Sequence, residues 1–370
     1  MTMDIDTQQM LVDSARRWAE QACSKVERQA VSNHTVGCPP ERWRALGELG
    51  WLGMALPEED GGLDAGLPAL CLLTEQLGRA LLVEPFVASA ILSSGLLAEV
   101  ATGELRREWL PMLSTGERRV VWMAWEPDGG GALNAPSAIA TAHSAGWQLQ
   151  GEKGLMPGAG GADGLLVTAR MPGDQNHVGL FLVDTQTPGA SLHSTPLYDG
   201  RHGARLSLVQ AQGRLLHEAP ADAMAALLER VLIQGQVAHC AETLGCAQAA
   251  FEITLDYVRS RKQFGRALSD NQVIQHRLVD LYVEQQEARA LCLAAAAEGT
   301  PERAAALGAR VSEVARNTWG EAIQLHGAIG MTEEYVLGEY VRRLALAADL
   351  YGSAASHLDR LAHLSLDTTP

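Results

Sequence analysis

The chain has 370 residues, 47% of them hydrophobic and 20% charged, with a formal net charge of −15. That length is enough for two or three domains, and that composition supports a sizeable core and excludes a disordered chain. The acidic balance excludes nucleic acid as the main partner, because neutralising a phosphate backbone needs a basic face. Local basic clusters can still hold a small anionic ligand.

The first residues, Met1 to Asp6, are acidic and lack an apolar core, so no signal peptide is expected there. No apolar run approaches the roughly 20 residues of a membrane span. Cys23, Cys38, Cys71, Cys240, Cys246 and Cys292 form no CxxC pair, and none has a histidine at zinc-ligand spacing. They read as buried or free thiols of a reducing compartment, with no metal site, and the chain reads as a soluble cytoplasmic protein.

From residue 7 to about 116 the pattern is helical. Leu11, Ala15, Trp18 and Ala22 recur at helical spacing, as do Leu46, Leu49 and Leu52 after the Pro39-Pro40 break. Gly61-Gly62 interrupts, Leu70, Leu73, Leu77 and Leu81 resume, and Pro85 separates a further apolar stretch from Phe86 to Val100. Between about 118 and 212 the period changes. Short runs at 120–124, 139–142, 147–149, 165–168 and 178–183 are separated by Gly, Pro, Asp and Asn, the signature of a small β domain. Gly129-Gly130-Gly131 and Gly158-Ala159-Gly160-Gly161 are turns or points of ligand approach.

From about 220 to 365 helices return. Val237, Cys240, Ala241, Leu244, Ala247, Phe251, Leu255 and Val258 trace one apolar stripe. Ile274, Leu278, Leu281, Ala288, Leu291 and Ala295 trace a second. Thr300-Pro301 opens a third helix, with Leu307, Val311, Val314 and Thr318 on its stripe. Long helices with short connections predict an antiparallel bundle. The chain thus divides as 1–117, helical; 118–215, β; and 216–370, helical bundle. The class is α+β, mostly α.

Between the first two bundle helices sits Asp256-Tyr257-Val258-Arg259-Ser260-Arg261-Lys262-Gln263-Phe264-Gly265, with Gln272 and Gln275 just beyond. An arginine beside a glycine turn offers a planar fork to phosphate oxygens and a backbone that a ligand can approach closely. The same residues also suit a helix end whose basic side chains complement the dipole before a Gly turn.

Five segments together resemble the acyl-CoA dehydrogenase family over nearly the whole chain. They are Leu49-Gly50-Trp51-Leu52-Gly53 with Pro57-Glu58-Glu59-Asp60-Gly61-Gly62; Trp125-Glu126-Pro127 with Gly129-Gly130; Gly151-Glu152-Lys153; Arg261-Lys262-Gln263-Phe264-Gly265 with Gln272; and Gln324 to Tyr335. The resemblance implies an N-terminal helical domain, a middle β domain and a C-terminal four-helix bundle. It implies FAD between domains and an acyl-CoA thioester on the flavin. A glutamate takes the α proton while hydride passes to the flavin, with the carbonyl hydrogen-bonded to stabilise the developing enolate.

In this family two subunits hold one FAD. The residues by which a subunit reaches its mate's cofactor match Arg261, Phe264, Gln272, Gln324 and Gly327 here, with Ala328 where a second glycine is usual. The ring-holding residues depart. Trp125 stands where a hydroxyl residue precedes Glu-Pro, and an indole there could fill flavin space. Gly131 stands for a serine, and Leu155, Met156 and Pro157 replace Trp-Ile-Thr. Pro157 has neither hydroxyl nor N–H. The usual glutamate position holds Tyr351, and a phenol with an ordinary pKa near 10 is a poor base at neutral pH. The alternative base position on the first bundle helix falls at about Gly235, with Glu229 and Glu242 the nearest carboxylates; Asp349 is near Tyr351.

The segment from Tyr351 to Ala362 resembles the small-subunit type, as in pimeloyl-CoA dehydrogenase. The resemblance therefore implies a dimer or dimer of dimers with a paralogous acyl-CoA dehydrogenase subunit whose FAD site this chain completes. Two other readings stay open: a self-sufficient FAD enzyme with a relocated base at Glu242 or Asp349, and a non-catalytic acyl-CoA-binding or scaffold protein.

Overall fold

The computed structural model describes residues 4–127, 133–144, 146–173 and 176–367. Among the described residues the α-helices run in order: α1 (Ile5–Ala22), α2 (Lys25–Ser32), α3 (Pro40–Glu48), α4 (Gly66–Arg79), α5 (Ser94–Val100), α6 (Gly103–Thr115), α7 (Ala221–Ser260), α8 (Gln272–Glu298), α9 (Pro301–His326), α10 (Leu337–Ala347) and α11 (Ala354–Asp367). The strands are β1 (Val120–Trp122), β2 (Ile139–His143), β3 (Gly146–Pro157), β4 (Gly164–Arg170), β5 (His177–Asp184), β6 (Ala190–Pro196), β7 (His202–Pro220), β8 (Lys262–Gln263) and β9 (Arg266–Ala267). The expected α+β class, mostly α, holds. The described residues fall into two compact units, one within 29–66 and 83–235, the other within 2–28, 67–82 and 236–370.

The first unit is built on a seven-stranded sheet in the order β1-β4-β2-β3-β7-β5, closed by β4 pairing with β5, with β6 on β7. Leu165, Leu166 and Val167 of β4 are fully buried, as a strand covered on both faces requires. Beneath β1 lies a π-helical turn, Phe86–Ser93, all of whose residues are buried. It begins after Pro85, and its two serines serve the strand: Ser89 donates to the Val120 carbonyl (2.8 Å), and Ser93 accepts from the Trp122 amide (2.7 Å). β6 and β7 carry no run flagged in the sequence. β6 is largely exposed and β7 mixes polar with apolar residues, so neither shows sustained alternation.

The second unit gathers α1, α4, the part of α7 from Gln236, and α8 to α11. α9 packs against α8, α10 and α11. Thr300 caps α9 by accepting from the Arg303 amide (3.3 Å), with Pro301 in the first turn. The stripes read from spacing are the buried ones: Val237, Ala247 and Val258 on α7, and Leu307 and Val311 on α9.

α4 and α7 touch backbone to backbone. A Cβ at Gly78 would lie 1.9 Å from the Glu242 carbonyl oxygen, and one at Gly245 would lie 1.9 Å from that of Glu75. Reciprocal glycines thus set how deeply Glu242 sits. We expect Gly78→Ala and Gly245→Ala each to destabilise the protein by about 1–3 kcal/mol through overpacking. Gly320→Ala on α9, where a Cβ meets nothing within 4 Å, should stabilise it by about 0.5–1 kcal/mol. Denaturant titration of the three variants checks the contrast.

Candidate functional site

α7 ends at Ser260, and the chain turns at once into the β8–β9 hairpin. Lys262 pairs with Ala267 and Gln263 with Arg266, which leaves Phe264-Gly265 as the two-residue loop. Both have positive φ, +52° and +81°. A two-residue turn of this twist needs that backbone at both positions, which glycine takes freely and phenylalanine does not. Phe264 is nevertheless fully exposed, at 101%. A large apolar side chain held on strained backbone in open solvent contributes nothing to its own fold. Arg261 is exposed as well, and its guanidinium has no bonded partner among the described residues. Gln272 is the exposed first residue of α8. Gln275 is tied back to the Ser269 carbonyl (2.8 Å).

The second motif lies beside the first. Val258, Leu278 and Leu325 form one buried cluster, with Tyr257, Leu268 and Ile274 packed against it. Tyr257 stacks on His326 (centroids 4.2 Å apart, 22° between planes), and its hydroxyl donates to the His326 carbonyl (3.3 Å). Gln324 is exposed on the last turn of α9. Gly327 ends the helix at φ +64°, ψ −143°, and nothing lies within 4 Å of where its Cβ would be. Arg261, Phe264, Gln272, Gln324 and Gly327 are thus carried to one end of the helical unit. Ala328 is exposed beside them.

Trp125 belongs to the other unit. It is half-buried in the segment after β1, and its carbonyl accepts from the Gly154 amide (2.6 Å). Gly154 is needed there because a Cβ would lie 2.5 Å from the Glu126 carbonyl oxygen. The Lys153 ammonium, 1% exposed, donates to the Glu126 carboxylate and to the Thr168 hydroxyl (3.2 Å), and Ser137 donates to the same carboxylate. Burial holds the Lys153 ammonium below its usual range, with Glu126 opposing that shift. The pair fixes the backbone that displays Trp125. Met156 and Pro157 are buried, and Gly129, Gly130 and Gly131 lie outside the described residues.

Glu242, Asp349 and Tyr351 are each engaged by neighbours. Glu242, 7% exposed, lies 3.3 Å from His239 Nδ1 and 3.6 Å from Arg343, whose guanidinium also donates to the Leu82 carbonyl (2.9 Å). His239 places its other ring nitrogen 3.1 Å from the Ala347 carbonyl and its ring against Tyr351 (centroids 4.8 Å). Asp349 is exposed and paired with Arg316 (2.8 Å). At Gly235 the space a side chain would need is taken by Leu92, whose Cδ1 is 3.0 Å from the Cβ position. Sequence reading missed His239, Arg343 and His326. Their only signal is a polar residue at a buried helical position, which periodicity treats as an interruption.

The two sets of residues answer differently to a flavin dinucleotide. The exposed guanidinium, the exposed aromatic ring and the open Gly327 backbone fit the adenosine diphosphate half, since the cation can pair with a phosphate and the side-chain-free backbone lets the ligand come close. The ring side does not fit: position 125 offers no hydroxyl and position 157 no N–H donor. Among the described residues no group of three or more His, Cys, Asp or Glu could hold a metal. No helix there is long and apolar enough to cross a membrane.

Family models match at both ends: "Acyl-CoA dehydrogenase, N-terminal domain" over residues 5–117, and "Acyl-CoA dehydrogenase, C-terminal domain" over 224–366. The probable acyl-CoA dehydrogenase YngJ of Bacillus subtilis is 29% identical over 340 residues, 87% of this chain and 88% of its own. Among solved structures, a single-residue variant of the Tcur3481-Tcur3483 steroid ACAD is 31% identical with a TM-score of 0.87, over 98% of both chains. The ChsE4-ChsE5 complex of Mycobacterium tuberculosis shares the fold at 22% identity, with a TM-score of 0.88 over 100% of this chain and 99% of that one.

The Lys153–Glu126 pair gives a direct test of the Trp125 loop. Lys153→Met strands a partly buried carboxylate, and we expect a loss of about 3–5 kcal/mol. The double variant Lys153→Met/Glu126→Gln should recover most of it. Denaturant titration followed by tryptophan fluorescence measures both.

Proposed function

The chain belongs to the acyl-CoA dehydrogenase family of FAD-dependent oxidoreductases, and we propose that it is one subunit of a heteromeric acyl-CoA dehydrogenase, completing the FAD site of a paralogous catalytic subunit. The observation that carries this reading is the Phe264-Gly265 turn: a fully exposed aromatic on left-handed backbone, beside an arginine with no bonded partner in its own chain among the described residues. Such a feature is costly unless another molecule covers it.

Bound FAD supplies the hydride acceptor for α,β-desaturation of an acyl-CoA thioester. This chain's contribution is to binding. Arg261 offers a cation to the diphosphate, Phe264 an apolar face, Gln272 and Gln324 amide hydrogen bonds, and Gly327 a backbone without a side chain. Among the described residues, the candidate bases for the chain's own α-proton chemistry are engaged. Glu242 is committed to Arg343 and His239, Asp349 to Arg316, and Tyr351 packs on His239. These engagements speak against a relocated base at either carboxylate.

The partner reading has further support on α8. Val279, Val283 and Leu293 fall on one side of α8 and are each about half exposed or more, 58%, 47% and 51%. They lie opposite the buried stripe of Leu278, Leu281 and Ala288. Two of the solved relatives are named as two-component proteins. All six cysteines are buried thiols, which supports the cytoplasmic placement.

Purified alone, the chain is expected to carry little flavin and no desaturase activity; co-purified with its paralogue it should share one. Arg261→Ala and Phe264→Ala should lower the flavin content of that complex several-fold while moving the chain's own stability by less than about 0.5 kcal/mol, since both side chains are exposed. Tyr351→Glu should not create activity in the chain alone, because positions 125 and 157 remain unable to hold the ring. A full complement of flavin and turnover in the isolated chain would sink the proposal.

A further inference from the structure

His326 closes α9 directly before Gly327 and two residues after Gln324. Its side chain is 4% exposed. The imidazole is wedged between Tyr257 (centroids 4.2 Å) and Tyr335 (5.3 Å, tilted 51°). Behind it lies Gly330, where an added Cβ would fall 2.9 Å from His326 Cβ. Nδ1 is 2.8 Å from the Ala322 carbonyl oxygen. A carbonyl only accepts, so Nδ1 carries the hydrogen and Nε2 is the bare nitrogen of the neutral ring. Nε2 is buried and has no hydrogen-bond partner among the described residues.

A histidine at a helix C-terminus ordinarily gains by charging, because the cation complements the dipole. Here the surroundings oppose it. A proton on Nε2 would be a second N–H with no acceptor, buried between two phenol rings. The groups that face the ring from each neighbouring element are known. From α7 comes the Tyr257 phenol. From the segment before α10 comes Tyr335, whose own phenol is pushed up by burial and by Tyr257 and Asp256. From the 327–331 turn comes uncharged Gly330. No carboxylate bonds to either ring nitrogen among the described residues. Burial accordingly holds the imidazole below its ordinary value of 6.5, against the opposing pull of the Ala322 bond.

We propose that His326 is a positioning residue that makes this chain's hold on the flavin dinucleotide pH-dependent: the neutral ring braces the Gln324–Gly327 corner, and a proton on Nε2 releases it. The inference rests on the reading that this corner faces FAD. The sign follows from linkage. The braced corner requires the neutral ring, whose pKa is lowered in the folded corner. Bracing is therefore complete above the ordinary histidine range and is lost as pH falls through it. With one proton linked, affinity falls by up to about one decade per pH unit from the ordinary histidine value down to the lowered pKa of the braced ring, and levels off below it. The sequence alone hides this, because His326 sits inside a motif read for its glycine and glutamine.

The test follows flavin release by fluorescence from the co-purified complex between pH 8 and pH 5, for the natural chain and for His326→Gln. The natural chain should release flavin steeply below about pH 6.5, while His326→Gln, which cannot titrate, should show a flat profile at whatever affinity it retains. A structural role alone would weaken binding in the variant at every pH and leave the slope intact, and equal slopes overturn the proposal. Should the isolated chain carry flavin by itself, the heteromer reading fails, and the same pH profile is read on that chain. Imidazole ¹⁵N NMR of the natural protein provides an independent check. At pH 7.5 it should show His326 neutral with the hydrogen on Nδ1, and an Nε2–H tautomer or a charged ring would equally contradict the assignment.

Discussion

The contact on which the rest of the site depends is the buried meeting of Val258, Leu278 and Leu325, with Tyr257 stacked on His326. It joins the end of α7, the start of α8 and the end of α9. Each apolar residue lies within a few positions of a polar one that faces out: Val258 before Arg261, Leu325 beside Gln324. Burying one set orients the other, so two motifs far apart in sequence become one surface. The hydrophobic contact supplies the energy, and the exposed arginine, phenylalanine and glutamines are left available for a ligand.

The same helical unit fixes Glu242 in place. Glycines 78 and 245 let α4 and α7 approach until their backbones touch, and the carboxylate of Glu242 sits beside that crossing, near Arg343 and His239. An acid held by a cation and an imidazole in a dry setting stabilises its neighbours rather than serving as a mobile base. His239 also reaches the Ala347 carbonyl, which anchors the segment that carries Tyr351. One surface of the unit exposes Arg261, Phe264 and Gln324, while Glu242 in its interior is engaged by His239 and Arg343. On the proposed reading, that asymmetry is what separates a subunit that lends contacts from one that turns over substrate.

Much of this was legible in the sequence, for physical reasons that differ by element. Long helices announced themselves through 3.6-residue periodicity, and Thr300-Pro301 through cap chemistry that proved real. β4 and β5 showed as short continuous apolar runs. β6 did not, because it is mostly exposed, and β7 did not, because a partly exposed strand that bends through register shifts has no steady alternation. The family followed from motif residues, since glycine, arginine and glutamine at fixed spacing are set by a ligand rather than by packing. The buried polar contacts could not be read. That His239 meets Glu242 across one turn is possible from spacing, but that Arg343 and Ala347 close the group is a fact of tertiary packing alone. The same holds for His326, whose bare nitrogen is defined by what fails to surround it.

The central claim is that this chain's open surface belongs to another subunit's cofactor. A cryo-electron microscopy map of the complex co-purified with the paralogous subunit tests it most directly. The expected map shows one FAD for each pair of chains, its diphosphate against Arg261 and Phe264 and its isoalloxazine ring held by the partner. A flavin ring seated in this chain, against Trp125, would contradict it.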